Sequence, residues 1–234
     1  KGLDYSDFAD AALSVILPIT EDAKTFLDVG AGCGSLSVPL AKAGKKVTAL
    51  DPAAAMIEIL KEDIEQEGLG KRITPMLSGW DAAKVSPHDV VLCANVPELL
   101  KKPGGFLKEA DATAKKAVFI IVNADPKGDK FYYKELYPLL FKREFVKEGD
   151  YLTTYAALHD LGIYANIEMI EYDFDQPFDD MDEAVEFWKE YLGIVTEEHD
   201  AELRGFLSKK LVRKKGALLA RFHKRSAVIW WKKG

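Results

Sequence analysis

Residues 25–52 hold the feature that most constrains the fold. A short apolar run, Phe26 to Val29, carries one acid, Asp28, and empties into Gly30-Ala31-Gly32-Cys33-Gly34. A helix-patterned segment follows, with Leu36, Val38, Leu40 and Ala41; Gly44 stops it, and a second apolar run, Val47–Leu50, ends in Asp51-Pro52. Strand, glycine turn, helix and parallel strand in so short a stretch predict a βαβ unit, the front half of a doubly wound α/β sheet. Glycines let the chain reverse sharply and bring backbone N–H groups against a ligand at a helix N-terminus. Asp51, closing the second strand, is placed to accept hydrogen bonds from both hydroxyls of a ribose.

Spacing narrows the ligand. The dinucleotide fingerprint G-x-G-x-x-G would need a glycine where this chain has Ser35; its glycines read G-x-G-x-G. An acid two residues before the first glycine sits badly beside a pyrophosphate, because like charges would face each other. It suits a ligand with an ammonium group and no phosphate, such as S-adenosylmethionine. The pattern of Asp28, Gly30, Gly32 and Gly34, with Asp51 seventeen residues beyond the last glycine, resembles the class I S-adenosylmethionine-dependent methyltransferases. A structural turn in another α/β protein is the competing reading.

The resemblance implies a doubly wound, mostly parallel seven-stranded α/β sheet with an antiparallel C-terminal strand, plus helical lid insertions. It also implies S-adenosyl-L-methionine as cofactor and S-adenosyl-L-homocysteine as product. The cofactor contacts it implies are Asp28, Gly30, Ala31, Gly32, Gly34, Asp51 and Pro52. In that family the loop after the third strand holds the adenine; Asp81 matches the acid position and Trp80 is the ring beside it. Cys93, Ala94, Asn95 and Val96, ending the fourth strand, line the site by position. Asn95-Val96-Pro97-Glu98 does not match the Asn-Pro-Pro-Tyr signature of amino-methylating nucleic-acid enzymes: one proline is absent and Glu98 replaces the stacking aromatic.

At 234 residues an α/β chain is expected to be one domain spanning 1–234, with substrate-lid inserts at about 126–160 and 175–215. The net charge of −6 gives the whole molecule no electrostatic reason to seek nucleic acid or an anionic membrane. No apolar run approaches the ~18 residues of a membrane span, and the early patch before Pro18 lacks the basic flank of a signal peptide. Cys33 and Cys93 make no disulfide framework and read as reduced small apolar residues, so the chain is expected to be cytoplasmic. It starts at Lys1, so a native N-terminus is expected to be missing.

Residues 4–17 read as an amphipathic helix with Phe8, Ala12, Val15 and Ile16 on one face. Tyr5 or Phe8 could close over the cofactor, or the helix could simply pack on the sheet. A helix after Pro52 is expected to turn Met56, Ile59, Leu60 and Ile64 inward. Residues 72–77 read as the third strand, 89–94 as the fourth, fully apolar strand, and 117–122 as the fifth. Pro103-Gly104-Gly105 resembles the family's loop before that fifth strand. Asn123 to Pro126 follow it at the ligand edge. Residues 129–161 are rich in rings and fit two helices joined near Gly149; residues 163–174 read as a sixth strand. Asp180 and Glu183 have capping-box spacing, with Val185, Trp188, Tyr191 and Leu192 on that helix's face and a further helix over about 197–214. Residues 217–222 and 226–231 are expected to pair as a hairpin turning at Lys224-Arg225, with the last strand beside the sixth.

Charge is segregated: residues 171–202 hold thirteen acids against one lysine, and residues 203–234 hold eleven Lys and Arg and no acid. Two solvated faces attracting each other is the favoured reading, and a basic patch for RNA the alternative. Methyl transfer from a sulfonium mainly needs alignment and exclusion of water, and a hydroxyl or carbon acceptor profits from a general base. Candidate catalytic groups are His159, Asp125 and Glu98; His88 falls at the opposite end of the sheet. No His/Cys cluster has metal-ligand spacing, so no metal is expected. The resulting expectation is a methyltransferase acting on a small molecule. The alternatives are an RNA or protein methyltransferase using the basic C-terminal region, or a protein that binds S-adenosylmethionine without turning it over. A NAD-dependent oxidoreductase is the residual reading.

Overall fold

A computed structural model describes residues 5–125, 131–146, 151–214 and 216–233. In chain order the first half comprises α1 (Phe8–Ile19), β1 (Thr25–Val29), α2 (Ser37–Lys42), β2 (Lys46–Asp51), α3 (Ala54–Gln66), β3 (Ile73–Leu77), β4 (His88–Ala94), α4 (Pro97–Leu100), α5 (Pro103–Thr113) and β5 (Ala114–Asn123). The second half comprises α6 (Tyr133–Phe141), α7 (Tyr151–Asp160), β6 (Asn166–Asp173), β7 (Gln176–Phe178), α8 (Met181–Leu192), α9 (Asp200–Lys210), β8 (Val212–Lys214), β9 (Ala217–Ala220) and β10 (His223–Lys232). These elements fall into two compact units. One comprises Ala9–Ala124, Gly149–Glu171 and Arg225–Gly234; the other comprises Lys1–Phe8, Asp125–Glu148 and Tyr172–Lys224.

The first unit is built on a seven-stranded sheet of order β3-β2-β1-β4-β5-β10-β6. Strands β1 to β5 are parallel throughout, and β10 is antiparallel to β5, Ser226 facing Asn123 and Lys232 facing Ala117. Asn166 Nδ2 donates to Trp230 O at one end of β6 and Arg225 pairs with Glu171 at the other, so β6 opposes β10 and runs with β5. This is the expected seven-stranded, mostly parallel sheet with one antiparallel C-terminal strand. Side chains alternate across it. Leu27 and Val29 of β1 join Val91, Cys93, Val118 and Ile120 in a core with Phe106 and Leu107 of α5 and Leu158 of α7. Asp28 points to the other face and meets Ser37 of α2. Burying β4 and β5 on both faces is why their sequences are continuous apolar runs.

Several local expectations change. The inward face of α3 is Ile57, Leu60 and Ile64, while Met56 and Ile59 are exposed; the stripe i, i+3, i+7 starts one residue later than the pattern suggested. Pro103-Gly104-Gly105 opens α5 instead of forming a loop, with Pro103 at the first helical position. Residues 217–222 and 226–231 are not a hairpin, because β9 pairs with β7 and β8 while β10 fills the edge of β5. The junction expected near Gly149 lies outside the described residues.

The second unit has its own core. Phe131, Tyr133, Leu136 and Leu140 pack with Phe178, Val185, Trp188, Leu203 and Leu207. Trp188 is fully buried and its indole N–H donates to Phe131 O at 2.8 Å. The three short strands β7-β9-β8 form an antiparallel sheet in this unit. Asp180 caps α8 by accepting from the Glu183 N–H at 2.9 Å, the spacing read in sequence. The helix expected over 197–214 stops at Lys210, and Val212–Lys214 is a strand. Phe8, for which covering the cofactor and plain packing were both open, is buried against Tyr172 with ring centroids 5.0 Å apart.

Candidate functional site

The turn between β1 and α2 is held from three sides. Gly30 and Ala31 N–H both donate to Leu50 O, at 2.8 and 3.0 Å, and Gly34 N–H donates to Ala31 O at 2.9 Å. Gly32 N–H donates to Asp51 Oδ2 at 2.8 Å. Gly30 and Gly34 have φ of +72° and +92°, the left-handed region, and neither has room for a side chain. A Cβ on Gly30 would stand 2.2 Å from Val96 Cγ2, and one on Gly34 would stand 2.5 Å from Leu60 Cδ1. Nothing lies within 4 Å of the corresponding position on Gly32, so the turn opens there. Four of the turn's amides thus bond within the chain, so these four are not among the N–H groups expected to face a ligand.

Two carboxylates frame the opening. Asp28 is 2% exposed, and Ser37 Oγ donates to its Oδ2 at 2.7 Å. Burial raises its pKa to about 6; the Ser37 hydrogen bond opposes the rise, and the nearby Asp51 charge adds to it. No cation among the described residues pairs with it. A buried carboxylate without a countercharge is costly and suits a ligand that brings an ammonium. Asp51 is buried, accepting from Gly32 N–H through Oδ2 and from Ala53 N–H through Oδ1, each at 2.8 Å. Each oxygen keeps a further lone pair for a ligand hydroxyl. The residues present therefore fit an amino acid head at Asp28 and a sugar at Asp51.

Around this centre the strand ends line up at the carboxyl edge, Val29 beside Leu50 and Cys93, and Asp51 beside Leu77. Ser78 N–H donates to Asp51 O at 3.1 Å and leads into a single 3-10 turn, Trp80–Ala82. Trp80 is half-buried and Asp81 exposed. Asn95 has φ of +56°, held by its N–H bond to Ile121 O at 2.9 Å, and Val96 follows it against Gly30. Ala94 is half-buried and Pro52 exposed. Cys93 is different. Its side chain is fully buried in the core, where burial pushes the thiol far above its usual range, so it supports the edge from beneath.

The candidate catalytic groups separate. His159 is exposed in the last turn of α7, its ring edge-on to Tyr164. That helix leads into the amino end of β6, and β6 runs with β1, so His159 lies at the edge of the sheet opposite the glycine turn. This corrects its placement as the best-sited base: a crossover helix carries the chain back to the start of the next parallel strand. Glu98 follows β4 in the first turn of α4, exposed and ion-paired with Lys101 at 2.8 Å. Asp125 stands two residues past β5, half-buried. His88, at the amino end of β4, bonds Thr48 Oγ1 at 2.9 Å. Two partners escaped the sequence reading. Ser37 was marked only by being a lone hydroxyl on an apolar helix face, and Glu109, bonded to Trp80, had no local signal.

Residues 27–117 match a family model described as a methyltransferase domain. An uncharacterized protein of Haemophilus influenzae is 28% identical over 212 residues, covering 88% of this chain and 75% of that protein. A ubiquinone biosynthesis O-methyltransferase of Methylocella silvestris is 36% identical over 118 residues, 42% of this chain; the chain spans 44% of that relative's length. Among solved structures, magnesium protoporphyrin IX methyltransferase from Synechocystis PCC 6803 with bound SAH matches with a TM-score of 0.53 at 17% identity, over 94% of this chain and 80% of that one. At that identity the likeness speaks for the fold.

Proposed function

We propose that the chain is a class I S-adenosylmethionine-dependent methyltransferase acting on a small-molecule acceptor, a reading supported by the match of residues 27–117 to a methyltransferase domain. The observation that carries the cofactor assignment is the buried Asp28 carboxylate, raised in pKa and paired among the described residues only with Ser37, beside a turn four of whose amides bond within the chain. When bound, S-adenosylmethionine supplies an activated methyl group. Asp28 holds its ammonium, Asp51 its ribose hydroxyls, and Trp80 and Asp81 its adenine. Asn95 and Val96, at the end of β4, face the space where an acceptor is aligned.

The acceptor class rests on two supports. One is the relation to a ubiquinone biosynthesis O-methyltransferase. The other is the pairing of the basic C-terminal run with acids. Arg204 bonds Asp182, Lys210 bonds Glu135 at 2.7 Å, Arg225 bonds Glu171 and Lys233 bonds Asp111. These pairs occupy four of the run's eleven cations and weigh against the run acting as one phosphate-binding face.

Calorimetry with S-adenosylmethionine, S-adenosylhomocysteine and NAD tests the cofactor, and a metabolite screen for S-adenosylhomocysteine release tests the acceptor class. Binding of NAD alone overturns the reading. Cofactor binding with release only in the presence of RNA, falling steeply with salt, moves the acceptor to nucleic acid. Binding without release in either screen leaves a cofactor-binding protein.

A further inference from the structure

We infer that Glu109 is a positioning residue for the cofactor, acting through Trp80 to fix the wall against which the adenine lies. The inference rests on the proposed cofactor. Trp80 begins the 3-10 turn after β3, two residues beyond Ser78, whose N–H is bonded to the backbone of Asp51. Its indole is held from α5 at two points. The N–H donates to Glu109 Oε2 at 2.6 Å, and the ring meets the buried Phe106 edge to face, centroids 5.3 Å apart at 83°.

An indole whose polar edge is tied down and whose rim is packed has its orientation decided before any ligand arrives. A flat ring held so offers a stacking surface to a flat base without a cost in rotamer freedom. Glu109 itself is exposed, so its bond contributes little to the fold. The same bond has a larger effect on where the ring points. Asp81, next along the turn and exposed, is free of the core and placed to accept from an amine on the base. The division of labour is then clear: Phe106 and Glu109 set the plane, Trp80 presents it, and Asp81 reads the amino group.

Two calorimetric probes separate this role from general loosening: S-adenosylhomocysteine, which carries the base, and S-ribosylhomocysteine, which lacks it. Glu109→Ala is expected to weaken S-adenosylhomocysteine by about three- to tenfold, the scale of one hydrogen bond, while the base-free ligand binds as before. Trp80→Ala is expected to cost S-adenosylhomocysteine about 5- to 100-fold, the scale of one stacked base. Glu109→Gln, which keeps an acceptor for the indole N–H, is expected to restore wild-type affinity. Equal losses for both ligands, or no loss in Glu109→Ala with unchanged melting temperature, overturn the positioning role. If wild type binds neither ligand, the cofactor reading fails first and this inference with it.

Discussion

Asp28 is a carboxylate the fold would be more stable without, and replacing it measures how much. Its pKa of about 6 in the folded chain, against 3.8 for the free side chain, means that folding favours the neutral acid. The shift is upward, so its penalty is absent below the unfolded value and complete above the folded one. Just over two pKa units at 1.36 kcal/mol each make that penalty about 3 kcal/mol at pH 7.5, shrinking to about 1 kcal/mol at pH 4.5. Asp28→Asn keeps an oxygen to accept from Ser37 Oγ and removes the charge. Urea unfolding followed by circular dichroism should therefore find the variant more stable than wild type at pH 7.5 by up to that amount, with the gap narrowing toward pH 4.5. In the same variant, S-adenosylhomocysteine binding should fall sharply, because the ligand's ammonium loses its partner. For wild type, affinity should decline as pH drops through 6 and Asp28 takes up a proton. A variant less stable than wild type at pH 7.5, or a stability gap independent of pH, would refute the claim that Asp28 is a buried charge waiting for a cation.

Other substitutions probe the rest of the frame. Gly30→Ala should cost about 2–4 kcal/mol in urea unfolding, combining left-handed strain with the clash against Val96; adding Val96→Ala should recover the steric part in a double-mutant cycle. Asp51→Ala should weaken S-adenosylhomocysteine by about 1.5–3 kcal/mol, the scale of hydrogen bonds to a charged group, and unchanged calorimetric affinity would remove the ribose assignment. Lys45 Nζ donates to Thr20, Glu21 and Ala23 O at 3.0, 3.2 and 2.8 Å, closing the segment between α1 and β1. Lys45→Met should lower stability by about 1–2 kcal/mol while cofactor affinity stays the same, and a loss of affinity instead would place the residue in the site.

What could be read from sequence was what local pattern determines. Asp28, the three glycines and Asp51 lie within one βαβ unit, where each residue's surroundings are set by neighbours a few positions away. The helix after Pro52 shows the limit even there, since Met56 and Ile57 both fit an apolar stripe and only packing chose Ile57. Position across the sheet was not legible. His159 ends a periodic helix that looks the same from either edge, and only the direction of β6 puts it away from the glycine turn. The rings of Phe131 and Tyr132 pack against Trp188, more than fifty residues on in sequence, with centroids 6.4 and 5.8 Å away, a pairing no local pattern announces. Glu109 reads as an ordinary solvated acid on α5, and nothing local links it to Trp80 twenty-nine residues earlier. The chemistry of the site is thus divided between two kinds of residue. Those proposed to touch the cofactor announce themselves by type and spacing, because a ligand of that charge and shape demands them. Those that aim the first kind are visible only after the chain has folded, because any of many surface acids could have met that indole.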